Sequence, residues 1–475
     1  MDEKTESVRE NILENKKYGK RKSVRFRYAL EPAYFVLYYA FNLTSAVLQN
    51  QMLKQTCLTK GYSMSICTNL NTDDETKEVE ELIQPDVARI NMSILLLNSI
   101  FPGTFSLILG SWSDIYGRKK ILMLSFIGYS TTLGLIALFS FISENVTTLS
   151  PWVYFFSEMP MTFLGGWPTL DIAVCCYVAD LSTDKTRSFR LGLIGFFNFF
   201  GSATAYFTSS YILAATNITI LFIIGFACSF TAMLWALFMV DDSIEPSEHV
   251  SNREQFKQIF SPLRIKEIFN SLCKIRPMKC RQILWALIAI PTLIVFTMHG
   301  NGTLNYLFVR EQFEWSLRQW TTYESINSVL SVTGIFIGVM VLKKGLQISD
   351  MKLGILGLVS FTVDAIIKAF ATQGYMLYVS SGITLFRLLS TPMFRSVMSV
   401  AVPHHEIGKV YSLTTCFEAL SGLGAGPLYT AIYNNTFTVF TGAYHLLTAT
   451  AFIIGLILSG FIVRWKSQGV TNQYD

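Results

Sequence analysis

The chain has 475 residues, of which 51% are hydrophobic and only 15% charged. A soluble domain carries about 25% charged residues, so the composition excludes an ordinary soluble globular protein. The net charge of +5 is accounted for by a one-sided placement of Lys and Arg and gives no reason to expect nucleic-acid binding.

A bilayer core takes roughly 20 mostly apolar residues per helix. Such spans fall at 31–52, 87–110, 121–143, 152–178, 190–213, 219–240, 282–309, 320–342, 353–372, 376–400, 409–432 and 439–463. The fold class expected is an all-α membrane protein with twelve transmembrane helices in two six-helix halves. Its parts would be a cytosolic tail (1–30), a first half (31–240), a cytosolic linker (241–281), a second half (282–463) and a cytosolic tail (464–475). The first 30 residues are polar and basic, so no cleavable signal peptide is expected.

Charge orients the spans. With the N-terminus in the cytosol, 29 of the 38 basic residues fall on the cytosolic side. The large opposite-side loop, 53–86, carries only Lys54, Lys60 and Lys77 against seven acids. The positive-inside rule therefore puts both termini in the cytosol. Three sequons, at Asn145, Asn217 and Asn434, fall in short loops on the outer side, where glycosylation takes place. Cys57 and Cys67 are the only cysteines outside, and a local disulfide between them is expected. The other cysteines show no metal-ligand spacing, and no metal or cofactor is expected.

Between the second and third spans lies GSWSDIYGRKK, residues 110–120. Gly110, Asp114, Gly117, Arg118 and Lys119 form a G-x-x-x-D-x-x-G-R-K pattern. Its glycines allow a tight turn and close helix approach, and its charges can lock or release packed helices at the membrane surface. The pattern resembles the loop between helices two and three of the major facilitator superfamily; the alternative is a basic anchoring turn. Gly338, Leu342 and Gly345 echo its spacing between spans eight and nine, as duplicated halves would. In the linker, 253–276 reads as an amphipathic helix interrupted at Pro262.

A closer resemblance rests on LEPAYF (Leu30 to Phe35), YVAD (Tyr177 to Asp180), TPMFR (Thr391 to Arg395) and FEALSG (Phe417 to Gly422). Over roughly residues 28–463 the chain resembles solute carrier family 46. The resemblance implies a twelve-helix alternating-access carrier, proton-coupled, moving a small organic anion such as a folate or pteridine. Two departures stand out. Gly195 occupies the place of a glutamate in the folate-carrying member's fifth helix. Glu314 precedes Trp315 where relatives have a cysteine, so their cross-loop disulfide would be replaced by the Cys57–Cys67 pair.

A charge inside the bilayer costs several kcal/mol unless it faces a cavity or a partner, so each one is a candidate. Asp171 lies nine residues before Asp180, about 13 Å deep at 1.5 Å per residue, near the midplane; it is either a proton carrier or half of a structural ion pair. Glu158 neighbours the helix breakers Pro160 and Gly165 to Pro168 and reads as a proton carrier or an outer-vestibule residue. His299 precedes the glycine-interrupted Gly300-Asn301-Gly302; an unperturbed imidazole suits proton exchange, while a satisfied structural histidine is the plainer reading. Arg387 and Arg395 are the anchors for an anionic substrate, Arg395 alternatively a gate, because guanidinium binds carboxylate bidentately. Glu418 would face Arg395 or the Gly110 turn as a gating acid. Asp364 and Lys368, at i and i+4, would pair with each other. Asn301, Asn305, Asn198 and Tyr38 complete the expected substrate-binding set.

No G-x-x-x-x-G-K-[ST] phosphate loop, H-E-x-x-H or nucleophile elbow occurs, so neither an ATP-driven pump nor an enzyme is expected. The expected partners are a small organic anion, protons and lipid, in the plasma or lysosomal membrane. The alternatives are a lysosomal exporter of metabolites or peptidoglycan fragments, and a non-transporting scaffold or sensor of the same fold.

Overall fold

A computed structural model describes residues 20–21, 29–70, 74–181, 184–245, 280–401 and 404–465. The expected linker helix at 253–276 and most of both tails lie outside the described residues, as do the side chains of Gly110 and Asp114.

Helices dominate. The first set is α1 (Leu30–Thr59), α2 (Met64–Thr68), α3 (Asp74–Tyr116), α4 (Arg118–Asn145), α5 (Val153–Ser157), α6 (Met159–Phe163), α7 (Gly166–Asp180), α8 (Asp184–Ala215) and α9 (Ile218–Met239). The second is α10 (Cys280–Phe313), α11 (Leu317–Ile337), α12 (Asp350–Ala369), α13 (Tyr375–Ile383), α14 (Ser390–Val400), α15 (His404–Leu420), α16 (Gly422–Thr436) and α17 (Ala443–Trp465). Two short strands, Lys20–Arg21 and Ile244–Glu245, pair antiparallel at the end of the molecule that carries Arg118.

Among the described residues, six helical stretches are long and apolar enough to cross a membrane on that measure alone, such as Arg118–Asn145 and Ala443–Trp465. Of the others, α13, α14, α15 and α16 are too short on that measure, at 9, 11, 17 and 15 residues, and α1 carries polar residues. The α1 helix holds Asn42, Thr44, Gln49, Asn50, Gln51 and Gln55, a polar load that lipid would not tolerate but a neighbouring helix or cavity does.

Breaks shape the inner wall. The fourth span is split into α5, α6 and α7, with Gly165 at φ 104° and Gly166 at φ 58°. Both backbones favour glycine, and a Cβ on Gly166 would meet the Pro102 ring at 2.8 Å. The tenth span is divided similarly, into α13, a 3-10 turn at Arg387–Leu389, and α14. The α11 helix continues as a π-helix through Gly338–Gly345, where the sequence echo falls.

Among the described residues, three large apolar cores divide the molecule. One lies within the first set, from Leu30 and Leu122 to Tyr177 and Val240. A second lies within the last set, from Ile283 to Met398, Val410 and Ile462. The third joins both sets: Leu43, Cys57, Val87, Tyr154 and Phe222 share it with Leu307, Trp320, Tyr433 and Tyr444. The halves are thus fused at the end that carries Cys57, and separately cored at the end that carries Arg118. Between the halves, α8 runs along α11, and α3 along α15 and α16.

Candidate functional site

Arg395 stands where the two sets meet. The α14 helix presents its guanidinium to Glu418 of α15, Nη2 to Oε2 at 2.7 Å, and to Asp171 of α7, Nη1 to Oδ2 at 3.9 Å. The Arg395 carbonyl accepts a hydrogen bond from the Tyr411 hydroxyl at 2.7 Å. Glu418 is buried, 7% exposed at its side chain, whereas Arg395 and Asp171 keep 32% and 29%. Water therefore reaches the arginine and one acid. With both acids ionised this triad carries a formal charge of −1, so one proton brings it to neutrality, while a substrate carboxylate that takes the place of Asp171 leaves it at −1.

Asp171 is also close enough to Tyr34, Tyr38 and Tyr129 to act on them electrostatically. Tyr38 accepts from the Tyr34 hydroxyl at 3.3 Å and meets Trp167 edge to face at 5.1 Å. Tyr38 and Trp167, with Phe41, Asn42, Tyr129 and Asn198, line a cavity of about 170 Å³.

Arg387 is placed differently. It faces Asp364 at 3.6 Å, donates to Ser331 at 3.2 Å and to Asn327, and is 6% exposed. Asp364 meanwhile holds Lys368 at 2.8 Å, the expected i, i+4 pair, and accepts from Ser380 at 2.6 Å. The expected anion anchor is thus embedded in a network internal to the second set. Glu324 of α11 joins that network electrostatically through Lys368 and Arg387. Glu324 lies near the start of the 320–342 span, where an acid reads as interfacial.

Glu158 sits at the junction of α5 and α6, buried, accepting from Asn98 at 3.3 Å; Asn98 in turn accepts from Thr162. It is enclosed by the first set. His299 faces Gly422 and Ser99, with its Nδ1 buried and, among the described residues, unpartnered. Asn301 and Asn305 are drawn to α17: Asn301 accepts from Thr448 at 3.0 Å and Asn305 from Tyr444 at 3.1 Å. The structure does not bring these two to Arg395.

The glycine turn is tied within the first set. Gly117 has φ 106°, and the Asp242 carboxylate fills the space a side chain there would need. That carboxylate accepts from the backbone N–H of Arg118 at 2.9 Å and of Lys119 at 3.4 Å, capping α4. The Arg118 guanidinium binds Asp180, the last residue of YVAD, at 3.0 Å. The Lys119 ammonium reaches the Leu237 carbonyl at 2.8 Å. Glu418 takes Arg395 as its partner.

At the opposite end the halves are latched. Arg310 of α10 binds Glu80 of α3 through both Nε and Nη2 at 2.5 Å, and Nη2 also donates to the Leu70 carbonyl at 3.2 Å. Gln84 donates to Glu80 at 3.2 Å and Glu311 at 3.3 Å, and accepts from Tyr433 at 2.9 Å. An exposed Lys77–Glu314 pair at 2.6 Å lies beside them, and that hydrogen bond raises the lysine's pKa. In the sequence Arg310 falls one residue past the 282–309 span and Glu80 in the acid-rich 53–86 loop, where neither reads as a buried charge.

Cys57 and Cys67 form the expected disulfide. Asn145 and Asn217 are exposed at helix ends, Asn217 as the cap of α9. Asn434 is a correction: it lies in the last turns of α16 with its Oδ1 buried, not in a loop.

A helical bundle of this kind, with a water-reached charge triad where its halves meet, is a membrane carrier. The comparisons agree. The Major Facilitator Superfamily model matches residues 32–427. A Drosophila melanogaster protein described as "Probable peptidoglycan muropeptide transporter SLC46" is 31% identical over 93% of this chain and 87% of its own length. The "Proton-coupled folate transporter" of Bos taurus is 24% identical over 93% and 94%. Among solved structures, the human organic anion transporter MFSD10 superposes with a TM-score of 0.62 at 14% identity, covering 91% of this chain and 98% of that one. The chain belongs to the major facilitator superfamily and, within it, to solute carrier family 46. It is a multi-pass membrane transporter working by alternating access, not an enzyme.

Proposed function

We propose that this carrier imports an organic anion together with protons, with both termini in the cytosol and the Cys57 end outside. Arg395 is the anion anchor, and Asp171 carries the proton. One observation supports this most: a single guanidinium is held by one acid from each half, at 2.7 Å and 3.9 Å. A substrate carboxylate that takes the longer, wetter contact displaces Asp171. The displaced carboxylate, left beside Glu418 without its counter-ion, then holds a proton. Substrate and proton thereby favour each other's binding, and the coupling is reciprocal.

Glu158 and His299 belong to the same reading as secondary proton groups, and the turn at Gly110, Asp114, Gly117, Arg118 and Lys119 as the gate that moves with Arg118–Asp180. The fused apolar core and the Glu80–Arg310 latch suit a state closed to the outside and releasing inward. For substrate, a cationic anchor beside aromatic rings suits carboxylated metabolites of the muropeptide or folate kind, the descriptions given to its relatives. The lysosomal reading uses the same direction of movement, from lumen to cytosol. Uptake of labelled muramyl dipeptide and folate into proteoliposomes, at external pH of about 5.5 and 7.4, tests the proposal. Acid-stimulated uptake of either supports it; uptake of neither, with protein verified in the membrane, contradicts it.

A further inference from the structure

The first set contains a small chamber that the anchor reading leaves unused. Its walls are Tyr38 and Trp167, edge to face at 5.1 Å, and Phe41 and Tyr129, edge to face at 5.6 Å. Rings set at right angles offer both faces and edges to an occupant. Two amides complete the lining, Asn42 and Asn198. Asn42 is oriented by its own donations, to the Tyr38 carbonyl at 2.9 Å and to Ser202 at 3.0 Å. Among the described residues, its Oδ1 and the Asn198 amide have no hydrogen-bond partner. The chamber measures about 170 Å³, below the roughly 300 Å³ at which sites for whole drug-sized ligands begin. It therefore fits one ring of a larger molecule. It also adjoins the triad, since Trp167 stands one turn before Asp171 on the same face of α7.

We infer that this chamber is a specificity subsite for the uncharged ring of the carboxylated substrate: a six-membered ring bearing amide-type groups, stacked on the aromatic walls and hydrogen-bonded by Asn42 and Asn198. The inference rests on Arg395 holding the carboxylate. Two sources share this chemistry, an N-acetylated sugar ring and a flat heteroaromatic ring.

Three probes separate the possibilities: N-acetylmuramate (sugar ring with acid), folate (heteroaromatic ring with acid) and glutarate (acid without a ring). Their binding to the purified full-length protein is measured by thermal stabilisation, with Arg395→Gln, Trp167→Ala, Trp167→Phe and Asn198→Ala as variants. Trp167→Ala and Asn198→Ala are each expected to weaken one ring-bearing acid about tenfold, the scale of one lost stacking or hydrogen-bonding contact. Glutarate binding should stay unchanged, and Trp167→Phe should recover most of the loss. Because Asn198 makes no side-chain hydrogen bond among the described residues, its variant tests the subsite without disturbing the fold. The chamber reading is overturned if both alanine variants bind ring-bearing acids like wild type, or if wild type binds glutarate but neither of the others. Failure of the anchor reading looks different: Arg395→Gln would then bind all three probes normally. Wild type that binds none of the three overturns both.

Discussion

Asp171 and Glu418 reach one guanidinium from opposite halves of the protein, at 3.9 Å and 2.7 Å from Arg395. The two contacts are not equivalent. Glu418 is buried and close, so it fixes the arginine. Asp171 is longer and wetted, so it can be exchanged for a substrate carboxylate or a proton. Arg395→Gln should reduce uptake by about tenfold to a hundredfold, the range for losing hydrogen bonds to a charged group. Arg395→Lys should recover only part, because an ammonium lacks the planar fork. Uptake at saturating and limiting substrate, with surface protein quantified, checks both.

The Glu80–Arg310 pair is buried on both sides, at 3% and 6% side-chain exposure. Removing one partner of such a pair costs about 3–5 kcal/mol, most of it for the charge left behind. Glu80→Gln should therefore destabilise the outside-closed state and expose the outer ends of α3 and α10. Labelling of a cysteine placed at Asn50, which accepts from Tyr306 across the same seam at 3.1 Å, should rise in this variant. Unchanged labelling would remove the latch from the account. The exposed Lys77–Glu314 pair should matter little, on the order of 0–1 kcal/mol.

Gly117→Ala should be poorly tolerated. The backbone there is left-handed, at φ 106°, and the Asp242 carboxylate occupies the place of the new methyl. Strain of about 1–3 kcal/mol is expected, with part of the α4 cap lost as Asp242 moves. Asp242→Ala keeps the turn and loses only the cap, about 1 kcal/mol. Melting of the two variants in detergent should rank them in that order.

In the second half, Asp364 neutralises Lys368 and faces Arg387. Asp364→Asn leaves two buried cations short of a counter-ion and should lower stability by about 3–5 kcal/mol. Adding Lys368→Met to it should restore much of that loss. If Asp364→Asn leaves folding intact while abolishing transport, this network takes part in transport and is not only structural.

The helical class, the span positions and the glycine turn were legible in the sequence because each is local: apolar length, charge bias and five residues in one decapeptide. The breaks at Gly165 and Gly166 were legible for the same reason. The site was read less evenly. Asp171, Arg395 and Glu418 stood out singly as buried charges, and their convergence required only that two helices meet. Arg387 looked equivalent to Arg395, and nothing local distinguishes an arginine absorbed by Asp364 and Asn327 from one left wet. That Asn301 and Asn305 turn toward α17 is not legible either, since helical periodicity does not say which neighbour a face meets. Glu80 and Arg310, 230 residues apart, form a pair only in three dimensions.

The most direct test of the central claim is proteoliposome uptake by wild type and Asp171→Asn at external pH of about 5.5 and 7.4, using whichever of muramyl dipeptide or folate the wild type transports. The account predicts acid-stimulated uptake in the wild type and uptake insensitive to pH in the variant, with exchange of substrate for substrate retained. Acid stimulation that survives unchanged in Asp171→Asn would contradict it.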